Sequence, residues 1–395
     1  MTDRGFDLDD RVADGDGGRL TPADHVGARA TFAPDPGGGL PVLDAEAVLV
    51  FASHNYLGLA TDDRVQEAAT AAAEVVGTGA GAPRPTVGDT MVHWDLERLL
   101  AEVHESERAL AFSSGYAANV GAIVGLSPDV VFVDEHVHAS VADGVRLAGG
   151  ELVTYDHLDP YDLSERMADR DDRTGQSWLV VTQSVFAADG NAAPLRTLCD
   201  VAEQYGAWMM VNEGLATGLY RNGGGVVQAE DVSDRVHVQT GSLAKALASQ
   251  GGFVAGSAAL VEHLTRTARP FVDSTGLAPP AAAAASEALH VSRHDDVRDR
   301  LWSNVQRLRD GLRSMGYDVL GESQVVPIDL ANPETARELE AAVREHGVVV
   351  SAGPRSPTEP DRGRVLLTPM ATHSAEDVQT CLDACYEAGH ELGVL

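Results

Sequence analysis

From Val48 onward, short apolar runs alternate with amphipathic stretches. The runs Ala109–Phe112, Val130–Val133, Glu151–Tyr155, Trp178–Val181, Trp208–Val211, Val236–Gln239 and Phe253–Ala255 have the length and composition of buried strands. Helical spacing of apolar residues covers Asp63–Val76, His93–His104, Ala117–Leu126, Ala139–Leu147, Pro194–Tyr205 and Ala259–Thr267. Regular alternation of this kind predicts an α/β fold, with an open, mostly parallel sheet and helices on both faces. After Pro279-Pro280 a long helical stretch runs to about Met315. The remainder predicts a smaller α+β domain, with strands at Val325–Leu330, Val348–Ser351 and Val365–Leu367 and two helices. Residues 1–45, rich in Asp, Gly and Pro, read as a loosely packed arm. The expected organisation is this arm, a large domain over 46–280, and a connecting helix with the small domain over 281–395.

Composition narrows the function classes. A formal charge of −31 opposes nucleic-acid binding and adhesion to anionic membranes, both of which call for basic surface. It fits a solvated acidic surface of a salt-tolerant or GC-rich lineage. No run of about 18 apolar residues predicts a membrane span, and the first residues lack the charged-then-apolar pattern of a signal peptide. Cys199, Cys381 and Cys385 are too few and scattered for a disulfide framework. A reduced cytoplasm is expected, and no metal site.

One residue stands apart. All but one of the 29 basic side chains are arginine, and the exception is Lys245, in Gly241-Ser242-Leu243-Ala244-Lys245-Ala246. Arginine stays protonated, whereas a lysine amine can lose its proton and attack a carbonyl. Lys245 is therefore the candidate reacting atom, most simply as a Schiff base. Two segments offer supporting chemistry. Phe112-Ser113-Ser114-Gly115-Tyr116-Ala117-Ala118-Asn119 is a strand and small-residue turn opening a helix, whose free N–H groups favour a phosphate. Asp134-Glu135-His136-Val137-His138-Ala139-Ser140 would place His138 at the carboxyl edge of the sheet, where ligands of α/β folds gather. Ser274-Thr275 adds two loop hydroxyls.

Taken in order, these segments resemble the α-oxoamine synthases, a family of fold-type-I pyridoxal-phosphate (PLP) enzymes. The likeness runs from about Phe51 to the C-terminus. It includes Asn55-Tyr56-Leu57-Gly58-Leu59, Gly77-Thr78-Gly79, Arg84, Gly88, His93, Leu96-Glu97, Asp189-Gly190 and Gly251-Gly252. The resemblance implies that Lys245 carries the cofactor and His138 stacks on its pyridine ring. Ser114, Gly115 and Tyr116 would hold or flank it, with Ser242 standing where the family usually has a threonine on the phosphate. Asn55 would lie near a substrate carboxylate. Thr275 would reach the phosphate from a partner subunit, making the site shared within a homodimer.

The departures are concentrated at the cofactor. The family's Asp-Glu-Ala-His reads Asn212-Glu213-Gly214-Leu215, so the aspartate that pairs with the protonated ring nitrogen is a neutral amide. Leu215 and Ala187 replace a histidine and a serine that contact the phenolic oxygen. Arg364-Val365-Leu366 stands where the family has Arg-x-Arg, so the second arginine, the carboxylate clamp, is Leu366. Three readings stay open. The first is an acyltransferase that uses an acyl thioester, on CoA or a carrier protein, and a small amine or amino-acid-derived acceptor. Lys245 and His138 would then be catalytic, and PLP altered in role or lost. The second is a PLP enzyme with an altered reaction, by decarboxylative condensation, racemisation or elimination. The third is a non-catalytic subunit of an active paralogue. Arg364 remains as a substrate-binding candidate in each catalytic reading.

Overall fold

The computed structural model describes residues 22–32, 47–170, 175–294, 296–356 and 358–395. All seven anticipated strands form one sheet: β1 (Arg108–Phe112), β2 (Val130–Asp134), β3 (Glu151–Tyr155), β4 (Trp178–Gln183), β5 (Trp208–Asn212), β6 (Val238–Ser242) and β7 (Gly252–Gly256). Their order is β1-β7-β6-β5-β4-β2-β3, and only β7 runs antiparallel to its neighbours. Val130–Val133 of β2 are almost fully buried, as expected of a central strand covered on both faces. Helices α1 (Gly115–Leu126) and α2 (Ala139–Ala148) follow β1 and β2. The sixth strand begins at Val238, two residues later than its apolar run suggests, after a turn closed by the Arg235 N–H on the Val232 carbonyl.

Several family-like residues act in this framework. Arg84 donates two hydrogen bonds to Glu97, at 2.8 and 3.1 Å, and a third to Asp89 at 2.6 Å. Glu97 also accepts the Ala111 N–H at 2.8 Å. This buried pair therefore pins the Met91–Val103 helix onto β1. The imidazole of His93 bonds the Leu277 carbonyl at 2.7 Å, tying the same helix to the Ser274–Ala278 loop.

Two sequence expectations change. The long helix after Pro279 is two helices, α3 (Pro279–His294) and α4 (Val297–Met315), with Asp296 as the N-cap of the second. Aspartate is a poor helix-interior residue, and here its carboxylate pairs with Arg300 of α4 and caps no backbone N–H. The expected strand Val348–Ser351 also divides. Val348–Val349 pairs in parallel with Leu49–Val50, whereas Ser351–Pro354 joins a three-stranded antiparallel sheet. That sheet comprises β8 (Val326–Leu330), β9 (Ser351–Pro354) and β10 (Gly363–Leu367), in the order β8-β10-β9. Pairing of Val50 with Val349, and stacking of Phe51 on His373 at 4.0 Å, couples the start of the chain to its end.

Most of the expected N-terminal arm lies outside the described residues. Its 22–32 portion is ordered, with Arg29–Ala30 pairing antiparallel to Val48–Leu49. Among the described residues no helix is long and apolar enough to cross a membrane.

Candidate active site

The carboxyl ends of β2, β5 and β6 and the start of α1 converge on one cavity of about 270 Å³. Gly115, Tyr116, His138, Asn212, Ser242 and Lys245 line it, together with Asn119, Gln183 and Leu215. Thus six of the sequence candidates meet in one place. A second cavity of about 450 Å³ adjoins it, sharing His138 and Gln183 and adding Ala187, Arg355 and Arg364.

Burial alone lowers the Lys245 amine to a pKa of about 8. The cause is the cost of holding a cation away from water, with no carboxylate among the described residues close enough to offset it. A sizeable fraction of the amine is therefore neutral near physiological pH, as a nucleophile or base requires.

His138 caps α2, and its Nδ1 lies 3.2 Å from the Ser140 N–H and 2.7 Å from the Ser140 hydroxyl. A backbone N–H only donates, so Nδ1 accepts and the proton of the neutral ring sits on Nε2. Behind it runs a chain of consistent polarity. The Thr240 hydroxyl donates to Asn119 Oδ1 at 2.6 Å, and Asn119 Nδ2 donates to Ser140 Oγ at 2.9 Å. That leaves the Ser140 hydroxyl hydrogen for His138. Burial, and then the charge of Lys245, hold the imidazole below its usual pKa.

At the head of α1, Ser114 Oγ accepts the Ala117 N–H at 3.0 Å. The Ala118 N–H reaches the Ser114 carbonyl, so the N–H groups of Gly115 and Tyr116 are the uncapped pair. They form the anion-binding end of a twelve-residue helix. Close approach requires glycine opposite them, since a Cβ at Gly252 would lie 2.4 Å from the Gly115 nitrogen. Ser242 Oγ accepts the Ala244 N–H at 3.1 Å, which leaves its own hydrogen available to an anion. The Tyr116 hydroxyl donates to Asp143, and its ring meets His138 edge-on at 6.1 Å.

Four candidates do not line the Lys245 cavity: Ser114, which caps α1 beside it, and three that stand further off. The Asn55 amide is buried and committed locally, donating to the Val26 carbonyl at 3.1 Å and accepting the Ala60 N–H at 3.3 Å. Thr275 is exposed, bridged to Pro83, and lines no part of its own chain's cavity. Arg364 lines the adjoining cavity and donates to the Ala187 carbonyl. Leu366 lies two residues along the same strand face as Arg364 and supplies only apolar surface.

Sequence reasoning passed over His54, Asn119 and Gln183. His54 is close enough to Lys245 for its charge to depress the imidazole pKa further, after burial has already lowered it. Its position just before Asn55-Tyr56-Leu57-Gly58 was the available signal. Asn119 lies one helical turn beyond Gly115, on the same face of α1. Gln183 pairs with Asn212 across β4 and β5, which places it at the same sheet edge.

A buried cluster supports this edge. His157 lies between Asp134 Oδ1, at 2.8 Å from Nδ1, and Asp189 Oδ2, at 3.0 Å from Nε2. Both ring nitrogens face carboxylates and therefore both donate, which makes the ring an imidazolium. Burial alone would lower its pKa, but the two carboxylates outweigh that and raise it to about 9. The cluster fastens the β2 loop carrying His138 to the loop carrying Ala187. Gly190, at φ 69°, completes the turn, and a Cβ there would meet the Val325 carbonyl at 2.7 Å. Among the described residues no group of three His, Cys, Asp or Glu could hold a metal ion.

A single lysine at the carboxyl edge of a doubly wound sheet, facing a histidine and an open helix N-terminus, defines a fold-type-I transferase. The profile of the aminotransferase class I and II family matches residues 46–384. The 8-amino-7-oxononanoate synthase of Anaeromyxobacter dehalogenans (strain 2CP-1) is 42% identical over 380 residues, covering 93% of this chain and 94% of its own. That of Thermoanaerobacter pseudethanolicus is 35% identical over 373 residues, with the same coverage of 93% and 94%. Serine palmitoyltransferase from Sphingomonas wittichii superposes with a TM-score of 0.88 at 28% identity, over 98% of this chain and 97% of that one. A serine palmitoyltransferase solved with PLP gives 0.87 at 27% identity, over 95% and 94%. The chain belongs to the aminotransferase class I and II family, in its α-oxoamine synthase branch, and is a transferase.

Proposed function

We propose that this chain is an acyltransferase that takes an acyl thioester, on CoA or a carrier protein, and joins the acyl group to an amine or amino-acid-derived acceptor. One observation carries the reading. The buried amine of Lys245 opens into the same cavity as His138 and the free N–H pair of Gly115 and Tyr116. Its relatives named 8-amino-7-oxononanoate synthase and serine palmitoyltransferase support it.

The residues fit PLP as cofactor. The Gly115 and Tyr116 N–H groups and the Ser242 hydroxyl suit its phosphate, His138 a ring face, Asn212 the ring nitrogen side, and Lys245 the aldehyde. Bound there, it would supply a carbonyl that captures an amine and a ring that draws electrons from the adjacent carbon. The protein's own contribution is positioning and proton transfer. Lys245 takes up and returns a proton at Nζ, with its pKa set close to the working pH. His138, held as the Nε2–H tautomer, offers a donor at the cavity wall. Arg364 suits an anionic group of a substrate in the adjoining cavity, whereas Leu366 favours an acceptor that needs no second arginine. Asn55 shapes the approach by tying Val26 to Ala60. In this reading Thr275 enters the phosphate site from a second copy, the enzyme is a cytoplasmic homodimer, and the chain divides near residue 280.

The test combines binding and turnover. Protein incubated with PLP and reduced with borohydride should gain the mass of one phosphopyridoxyl group, and Lys245→Ala should not. Thiol release from a panel of acyl-CoA and acyl-carrier thioesters should then depend on added amine or amino acid. Adduct formation without acceptor-dependent thiol release from any thioester would remove the acyltransferase reading and favour a changed reaction.

A further inference from the structure

Asn212 ends β5, paired with Gln183 on one side and Thr240 on the other, and its amide reaches the Lys245 cavity. The Gly214 N–H lies 2.8 Å from one end of that amide. A backbone N–H can only donate, so the atom it meets is the oxygen, and chemistry settles which way the amide faces. Gly214 makes the contact possible, since a Cβ there would sit 2.8 Å from the same oxygen. The other end, Nδ2, meets no acceptor among the described residues, and it is not among the sealed, unpartnered polar atoms. It is open to the cavity, and it is a donor only.

We propose that Asn212 presents an N–H donor to the pyridine nitrogen of PLP and so holds that nitrogen unprotonated. The inference rests on the PLP reading above and deepens it. A pyridine nitrogen accepts the amide hydrogen. A pyridinium N–H would face it donor to donor, in a site where neither group can turn to water. Asn212 cannot rotate to offer its oxygen without abandoning the Gly214 N–H. A carboxylate at this position could accept from Gly214 with one oxygen and from a pyridinium with the other. The amide therefore inverts the polarity of the contact, beyond removing a charge. The surroundings agree with a weakened electron sink. Leu215 and Ala187, at the walls of the two cavities, bring no polar side-chain atom to the cofactor. More of the work of forming and quenching charge at the substrate carbon then falls to Lys245.

The deciding experiment is ¹⁵N NMR of the holoprotein loaded with PLP labelled at the ring nitrogen, compared with Asn212→Asp. In the unaltered protein the signal should sit at the unprotonated position throughout the neutral range. In the aspartate variant it should move to the protonated position, with no need for turnover in either case. A protonated ring nitrogen in the unaltered protein would overturn the proposal, whatever the variant does. An unmoved signal in a folded, loaded variant would also count against it. Borohydride reduction of the same sample separates the two layers of the argument. Lack of a Lys245 adduct removes the PLP reading itself, whereas an adduct with a protonated nitrogen removes only the role given to Asn212.

Discussion

The Ser140 hydroxyl lies 2.7 Å from His138 Nδ1 and reinforces the Ser140 N–H in holding the proton of the neutral ring on Nε2. Ser140→Ala keeps the backbone N–H contact but breaks the chain from Thr240 through Asn119. Losing one such bond costs about 1 kcal/mol of positioning, or about fivefold in kcat. The imidazole NMR spectrum of the variant should show a second tautomer. Thr240→Val, two bonds further away, should show the same signature more weakly. A Ser140→Ala ring that stays purely Nε2–H would mean the backbone contact alone suffices.

Lys245 should react as an amine of pKa about 8 and not as an ordinary lysine. The nucleophile is the neutral form, so its population grows as pH rises through about 8. The rate of reductive pyridoxylation at Lys245 should climb through that range and level off above it. A rate still rising steeply near pH 10 would place the amine in water.

The sheet was legible in the sequence because buried parallel strands are near-continuous apolar runs, and all seven runs became its strands. Lys245 was legible for a compositional reason, the replacement of every other lysine by arginine. The break between α3 and α4 was not, because a polar turn residue inside a periodic stretch leaves the periodicity intact. The splitting of Val348–Ser351 between two sheets was hidden for a related reason, since one half pairs with the distant Leu49–Val50 and the other with the nearby Gly363–Leu367, and a continuous apolar run shows neither partner. His54 escaped because proximity to Lys245 arises only when the N-terminal loop folds over the sheet edge. The identity of Asn212 could be read from the sequence. Its direction could not, because that depends on the Gly214 N–H.

His157 provides a stability prediction with a definite sign. Its folded pKa of about 9 exceeds the ordinary value of 6.5. Its contribution is therefore complete below pH 6.5 and is lost as pH rises through about 9. His157→Asn removes the cation and leaves two buried carboxylates facing one another, a cost of about 3 kcal/mol. Denaturant unfolding should show that loss at pH 6.5 and a smaller one at pH 10. Equal losses at both pH values would mean the ring is neutral in the folded protein.

Thr275 tests the shared site. It lines no part of its own chain's cavity, so in the shared-site reading its hydroxyl acts from a second copy. Thr275→Ala should loosen PLP several-fold. Mixed dimers of Thr275→Ala and Lys245→Ala chains should contain one site that is intact at both positions. Full release of PLP from the mixed species would show that Thr275 acts within its own chain.

The acidic surface should make stability depend on salt. With 60 acidic and 29 basic side chains the folded state compresses a charge of −31, and self-repulsion opposes compaction. Salt shortens the Debye length from about 10 Å at 0.1 M to about 3 Å at 1 M and relieves that repulsion. Salt also weakens surface pairs such as Arg235–Glu203 and Arg266–Glu262, but exposed pairs contribute little each. The repulsive contribution is therefore the larger one. The melting temperature should rise by about 5 °C or more between about 0.1 M and about 2 M KCl. Potassium chloride is the right salt, because sulfate would also strengthen apolar burial and blur the cause. A melting temperature that falls with KCl would mean the arginine pairs, and not the excess carboxylates, govern the surface.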